Sequence, residues 1–219
     1  MWDEATLQLL VKGVGETLYM TLASTVFSYI IGLPMGILLV SSAEDGIRPC
    51  PGLFKTLDVI VNLTRSIPFL ILLVTIIPFT RLIAGTSIGS TATIVPLTLA
   101  AAPFIARLVE SSIKEVDVGV IEAAQSMGAS NLQIVWKVML PEAKPSLIVG
   151  SAIATTTILG YSAMAGFVGG GGLGAIATNY GFYRYQYDVM LGTVVLLVVI
   201  VQILQGILMK LAGITNKKV

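Results

Sequence analysis

Histidine is absent from this chain of 219 residues, which removes the usual general base, the usual proton shuttle and the commonest metal ligand together. The single cysteine, Cys50, lies between Pro49 and Pro51, so neither an internal disulfide nor a cysteine cluster for a metal can form. The run Gly169-Gly170-Gly171-Gly172-Leu173-Gly174 contains the spacing Gly-x-Gly-x-x-Gly. No strand leads into it, however, and dinucleotide binding needs the strand–turn–helix context. Neither Gly-Lys-Ser nor Gly-Lys-Thr occurs, so a Walker A phosphate loop is excluded as well. The reading is no catalytic residue, no metal site and no cofactor on this chain; any nucleotide must bind another polypeptide. What remains is an ordered spacing in a charged connection between two apolar runs: Glu122-Ala123-Ala124, then Gly128, then Leu140-Pro141. Such residues do the chemistry of contact. A carboxylate offers a polar anchor, and small side chains let a partner surface close against the backbone.

The elements that must position this segment follow from composition. Hydrophobic residues make up 55% of the chain and charged residues 11%, against about a quarter charged in soluble domains. This is the composition of an all-α integral membrane protein. At about 20 apolar residues per crossing, the length accommodates about five or six spans and no soluble catalytic domain. Stretches free or nearly free of Asp, Glu, Lys and Arg predict five spans, at residues 17–41, 59–80, 87–106, 145–165 and 189–209, within a single membrane domain over 1–219. A sixth would arise if Gly166 to Phe182 re-entered the membrane. The start Met1-Trp2-Asp3-Glu4 is acidic, whereas a secretory signal begins with positive charge, so the first span is expected to be retained.

Basic residues accumulate in cytosolic connections and set the orientation. Arg48, Lys55, Arg65, Arg107, Lys114, Lys137, Lys144, Lys210, Lys217 and Lys218 fall on one side; Lys12, Arg81 and Arg184 fall on the other. The N-terminus is therefore predicted outside, the C-terminus inside, and the Glu122 connection in the cytosol. A net charge of +1 gives no basic footprint for nucleic acid. Arg65, near one end of the second span, suits snorkelling to the headgroups. Pro34, Pro68, Pro78, Pro96 and Pro103 interrupt apolar helices and free backbone groups that lipid cannot satisfy, so these helices pack against protein or line a wet cavity. Ala100-Ala101-Ala102 and Ala152 with Ala154 permit close helix approach, which marks the third and fourth spans as the bundle core. No internal duplication is visible, so the second half of a pathway is expected from a second copy about a twofold axis.

The connection itself reads as two short helices over about 117–140. Asp117 is placed to cap the first, and Gly128 to end it in the left-handed conformation. Ser130 and Gln133 form a capping box for the second, which carries Leu132, Val135 and Val138 and is expected to stop where Pro141 starts the next span. Between Val116 and Trp136 no Lys or Arg occurs, which disfavours simple adhesion to headgroups. In the fourth span, Tyr161 and Ser162 need polar partners or water inside an apolar run, and Met164 offers a flexible plug. These residues are candidates for the lining or gate of a pathway, with simple packing between helices as the alternative.

The spacing Glu-Ala-Ala, three residues, Gly, nine residues, an aliphatic (here Val138), one residue, Leu-Pro resembles the EAA loop of ABC-importer permeases. Arg65-Ser66-Ile67-Pro68-Phe69, Ile77-Pro78-Phe79-Thr80-Arg81, Ile94-Val95-Pro96-Leu97-Thr98, Ala102-Pro103-Phe104-Ile105-Ala106-Arg107 and Gly160-Tyr161-Ser162-Ala163-Met164 narrow the resemblance to the permease subunit of bacterial methionine ABC importers. It covers the chain from about Gly13 to Val201. The resemblance implies a multi-pass protein of the bacterial cytoplasmic membrane that works as a homodimer, with two ATP-binding cassette subunits holding ATP and Mg and an external binding lipoprotein. It implies methionine as substrate, ATPase coupling through Glu122, Ala123, Ala124, Gly128, Leu140 and Pro141, and alternating access driven by the partner.

Other readings remain at this point. An ABC permease for another small amino acid or similar solute shares much of the pattern. A proton-coupled secondary transporter would bury ionisable relay residues in its spans, and these spans carry almost none. A membrane scaffold leaves the ordered connection without a purpose. The glycine run reads first as a sharp turn or a close backbone approach, with a hinge or a receptor-docking surface as the alternative.

Overall fold

The computed structural model describes residues 3–215, and all regular structure among them is helical. Met1, Trp2, Lys217 and Lys218, used above, lie outside the described residues. The helices are α1 (Glu4–Ser42), α2 (Pro51–Ser66), α3 (Phe69–Thr75), α4 (Ile77–Ala84), α5 (Ser90–Lys114), α6 (Val118–Ser126), α7 (Asn131–Ile134), α8 (Leu140–Ala165), α9 (Gly172–Ile176) and α10 (Tyr187–Thr215). Four helical stretches are long and apolar enough to cross a membrane, or five if the bent pair α2–α3 counts as one span. The protein is an integral, multi-pass membrane protein.

The first helix is longer than its apolar run. Asp3 caps it by accepting the Thr6 amide at 3.0 Å, and hydrogen bonding from Thr6 holds the Asp3 carboxyl below the usual carboxylate range. Its 39 residues extend about 58 Å at 1.5 Å per residue, so its first turns project beyond a hydrocarbon layer of about 30 Å. Lys12 and Glu16, whose charges mark off the expected span start at residue 17, pair on that extension at 3.8 Å.

The expected second span, 59–80, is not one helix. Ile67 takes extended backbone (φ −80°, ψ 123°), the conformation that a following proline imposes, and α2 and α3 meet there at 100°. A second break at Ile76 precedes Pro78, which sits in the first turn of α4, where a missing amide is harmless. Pro34, Pro96, Pro103 and Pro145 instead lie within continuous helices.

α5 is the most buried of the long helices and α10 the least. α5 and α8 share the main core, in which Ile105, Val109 and Ile113 meet Met139, Ala143 and Ala154. The backbone of α5 also approaches that of α1 closely. Ser28 donates to the Thr98 carbonyl at 3.3 Å. A methyl group on Gly32 would lie 2.6 Å from the Ala102 carbonyl oxygen, and one on Gly36 would lie 2.6 Å from that of Ala106. The constant sequence offset of these contacts makes α1 and α5 parallel neighbours joined along a stripe of small residues.

α8 begins earlier than the expected 145–165. A π-turn, Val135–Met139, joins α7 to α8, and the Leu140 amide reaches back to the Val135 carbonyl. This shifted register absorbs the proline that was expected to stop the second short helix, so Pro141 continues the helix in the first turn of α8. Residues 166–182, where a sixth crossing would lie, form no single long helix. A 3-10 turn, Gly166–Val168, is followed by α9 and a π-turn, Ala177–Phe182, and this hairpin folds back on α1. There the Gly172 amide donates to Glu16 Oε2 at 2.7 Å and the Leu173 amide to Thr17 Oγ1 at 2.9 Å.

Candidate functional site

The segment 117–140 is built by local rules. Asp117 accepts the Gly119 amide at 2.7 Å and opens α6. At its other end the Ala129 amide bonds the Ala124 carbonyl at 3.1 Å and the Gly128 amide bonds that of Gln125 at 2.9 Å. Gly128 sits at φ 77°, which completes the Schellman arrangement of a helix end. The capping box follows: Ser130 N donates to Gln133 Oε1 at 2.8 Å and Gln133 N to Ser130 Oγ at 3.4 Å. The two helices are thus held by their own sequence at a tight turn.

Burial divides the segment into a root and a tip. Ala124, Ile134, Val135 and Met139 are buried against Ile113 and Val116, with Ile121, Val138 and Leu140 packed at the margin. Glu122, Ala123, Gly128 and Pro141 are exposed, and Met127 and Leu132 are left largely in the open at 82% and 69%. Two expectations are corrected here. Ala124 was expected on the exposed contact face and is instead part of the root. Leu132, grouped above with Val135 and Val138, points away from them because the buried stripe runs through Ile134, Val135 and Met139. An exposed tip with apolar side chains and one carboxylate, on a root continuous with the bundle core, is suited to passing displacement from a protein partner into α5 and α8.

The candidates in α8 diverge. Tyr161 stacks on Phe69 of α3, with ring centroids 4.6 Å apart and planes 4° from parallel, beside Met20, Leu73 and Leu97. Ser162 is buried and donates to the Leu159 carbonyl at 2.7 Å, so its own helix meets its hydrogen-bonding need. Met164 is 46% exposed. Tyr161 therefore joins α8 to the broken second span, Met164 presents a free side chain, and Ser162 faces protein.

The profile of the family described as "Binding-protein-dependent transport system inner membrane component" matches residues 32–218. The chain belongs to this family. It is a transport component rather than an enzyme. It is 49% identical over 206 residues to a probable D-methionine transport system permease protein MetI of Vibrio cholerae, covering 94% of this chain and 92% of that one. It is 54% identical over 164 residues to the D-methionine transport system permease protein MetI of Escherichia coli K12, covering 75% and 76%. Its structure superposes with a TM-score of 0.97 and 49% identity on a chain of the inward-facing MetNI methionine ABC transporter, over 99% of this chain and 100% of that one. A chain of an amino acid ABC transporter crystallised with histidines, at TM-score 0.72 and 20% identity, shares the fold alone.

One constellation in this family member was not anticipated. Arg107 and Glu110 of α5 join Asp58 and Asn62 of α2 and Lys114 in a continuous charge cluster. The spacing Arg107-x-x-Glu110-x-x-x-Lys114 was a usable signal for one side of it, since residues three and four apart share a helix face. Asp58 lies 49 positions from Arg107, and no local pattern links them.

Proposed function

We propose that the chain is the permease subunit of an ATP-driven importer of methionine. Two copies form the pathway, each with its N-terminus outside and C-terminus inside the bacterial cytoplasmic membrane. Two ATP-binding subunits, holding ATP and Mg, seat on the exposed tips of the 117–140 segments, and an external binding protein delivers substrate. Closure of the ATPase pair draws the tips together and turns the cavity outward; hydrolysis resets it inward. Glu122, Ala123 and Gly128 meet the ATPase, whereas Ala124, Leu140 and Pro141 carry the load into α8. Tyr161 and Met164 belong to the gate, with Ser162 fixing the helix between them.

The observation that supports this reading best is the agreement in sequence and shape, over nearly the whole chain, with permeases designated for D-methionine and with the methionine transporter MetNI. Assembly tests the mechanism. Purified with its cognate ATPase, the chain is expected to bring that subunit down as a stable complex whose hydrolysis rises when methionine-loaded receptor is added. A complex that forms but ignores the receptor would contradict the importer cycle. Stimulation by a receptor carrying a different amino acid would retain the cycle and replace the substrate.

A further inference from the structure

The charge cluster between α2 and α5 has no part in the reading above. Arg107 Nη2 donates to the Asp58 carboxylate and, at 2.9 Å, to Asn62 Oδ1, while Nη1 donates to Glu110 Oε2 at 2.6 Å. Lys114 Nζ takes the other oxygen, Glu110 Oε1, at 2.9 Å. Two cations and two carboxylates alternate, and the side chains of Glu110 and Arg107 are 8% and 19% exposed. One turn further along the same antiparallel contact, the Arg65 guanidinium lies over the Phe104 ring at 5.9 Å.

The location decides what this arrangement can do. α5 ends at Lys114, and α6 begins at Val118, so the cluster occupies the last turns before the exposed segment. On the other side it grips the middle of α2, whose far end bends at Ile67 and leads to Phe69, the ring stacked on Tyr161. Next to the cluster, Val61, Leu39 and Ala106 pack as a purely apolar contact. Adhesion between these helices therefore has an apolar solution at hand. Buried ion pairs add little net stability over such packing, but alternating charges penalise sliding, because each slipped register leaves a buried charge without its partner.

We propose that Arg107 is a positioning residue for transport: with Asp58, Asn62 and Glu110 it locks α2 to the end of α5, so that α2 moves with the 117–140 segment as one body. The proposal rests on the permease reading, which takes that segment as the ATPase contact. Displacement of the tip then reaches the Phe69–Tyr161 stack through α2 as well as directly through α8.

The test uses the complete complex with its ATPase. Lys55 on α2 and Glu115 just beyond α5, both exposed, are replaced by cysteine in a Cys50→Ser background and spin-labelled. With the cluster intact, the distance distribution is expected to be narrow and the same in nucleotide-free and ATP-trapped states. Arg107→Ala should broaden it or make it depend on nucleotide, while hydrolysis persists and import per ATP falls roughly 2- to 30-fold. Glu110 keeps Lys114 in this variant. The double variant Asp58→Ala/Arg107→Ala removes both charges of the α2 link and should be no worse than Arg107→Ala alone. A distribution in Arg107→Ala as narrow and state-independent as the parent's would overturn the proposal. So would a parent distance that changes with nucleotide, additive effects in the double variant, or hydrolysis and import falling in proportion. If the parent imports no methionine, the substrate reading fails, and the labelled distances still decide the clamp.

Discussion

Gly128, which we propose meets the ATPase, is a residue placed for a contact and not for the core. Its φ of 77° excludes most side chains at a cost of about 1–2 kcal/mol, yet nothing lies within 4 Å of where a Cβ would stand. A substitution there strains the turn and crowds the exposed tip while the bundle keeps its packing. Gly128→Val is expected to lower the unfolding temperature of the isolated permease by only a few degrees, as strain of about 1–2 kcal/mol implies, and to weaken ATPase binding about 5- to 30-fold, measured by titrating the ATPase onto immobilised permease. Met164, exposed on the same side of its helix as Gly160 and Phe167, has a different character. Met164→Ala is expected to raise ATP turnover in the absence of receptor or to let solute leak; unchanged coupling would remove Met164 from the gate. The caps at Asp117, Gly128 and Ser130 were legible from sequence because their bonds run between residues no more than five apart. The burial of Ala124 was not, since it depends on the distant core residues that α6 meets.

Helices in this molecule are positioned by small residues and by prolines. Gly32 and Gly36 let α1 lie against α5; their spacing of four is visible in the sequence, but nothing local says which helix they face. Gly36→Leu would overpack that contact, at a cost of about 1–3 kcal/mol, and is expected to lower the unfolding temperature in detergent. Gly15→Leu, on the same helix but with nothing within 4 Å, should change it little; equal effects would contradict the small-residue account of the α1–α5 contact. Hydropathy found every long apolar stretch, yet it cannot see a bend. Between residues 59 and 80 the composition stays apolar while the chain turns through 100° after Ser66. The signal was Pro68 acting on the backbone of Ile67, and it was read as an interruption in a helix rather than as a sharp bend. The Asp58–Arg107 link escaped for a different reason, since it joins two helices through side chains that each look like ordinary loop-proximal charges.

At the scale of the molecule, the two ends of the bundle have different constructions. One carries the capped segment 117–140 and the charge cluster; the other carries the glycine hairpin, pinned to α1 by Glu16 and Thr17. Membership of a binding-protein-dependent transport family makes the chain a transport component, and we propose that the 117–140 end is the one its partner moves. The central claim, that it carries methionine inward at the expense of ATP bound by its partner, is tested most directly by uptake. The chain, its ATPase and its receptor are reconstituted in proteoliposomes, and entry of labelled methionine is followed with and without ATP and against excess competing amino acids. The account predicts uptake that requires ATP and is blocked only by methionine and its close analogues. A complex that binds receptor and hydrolyses ATP yet takes up no methionine would contradict it.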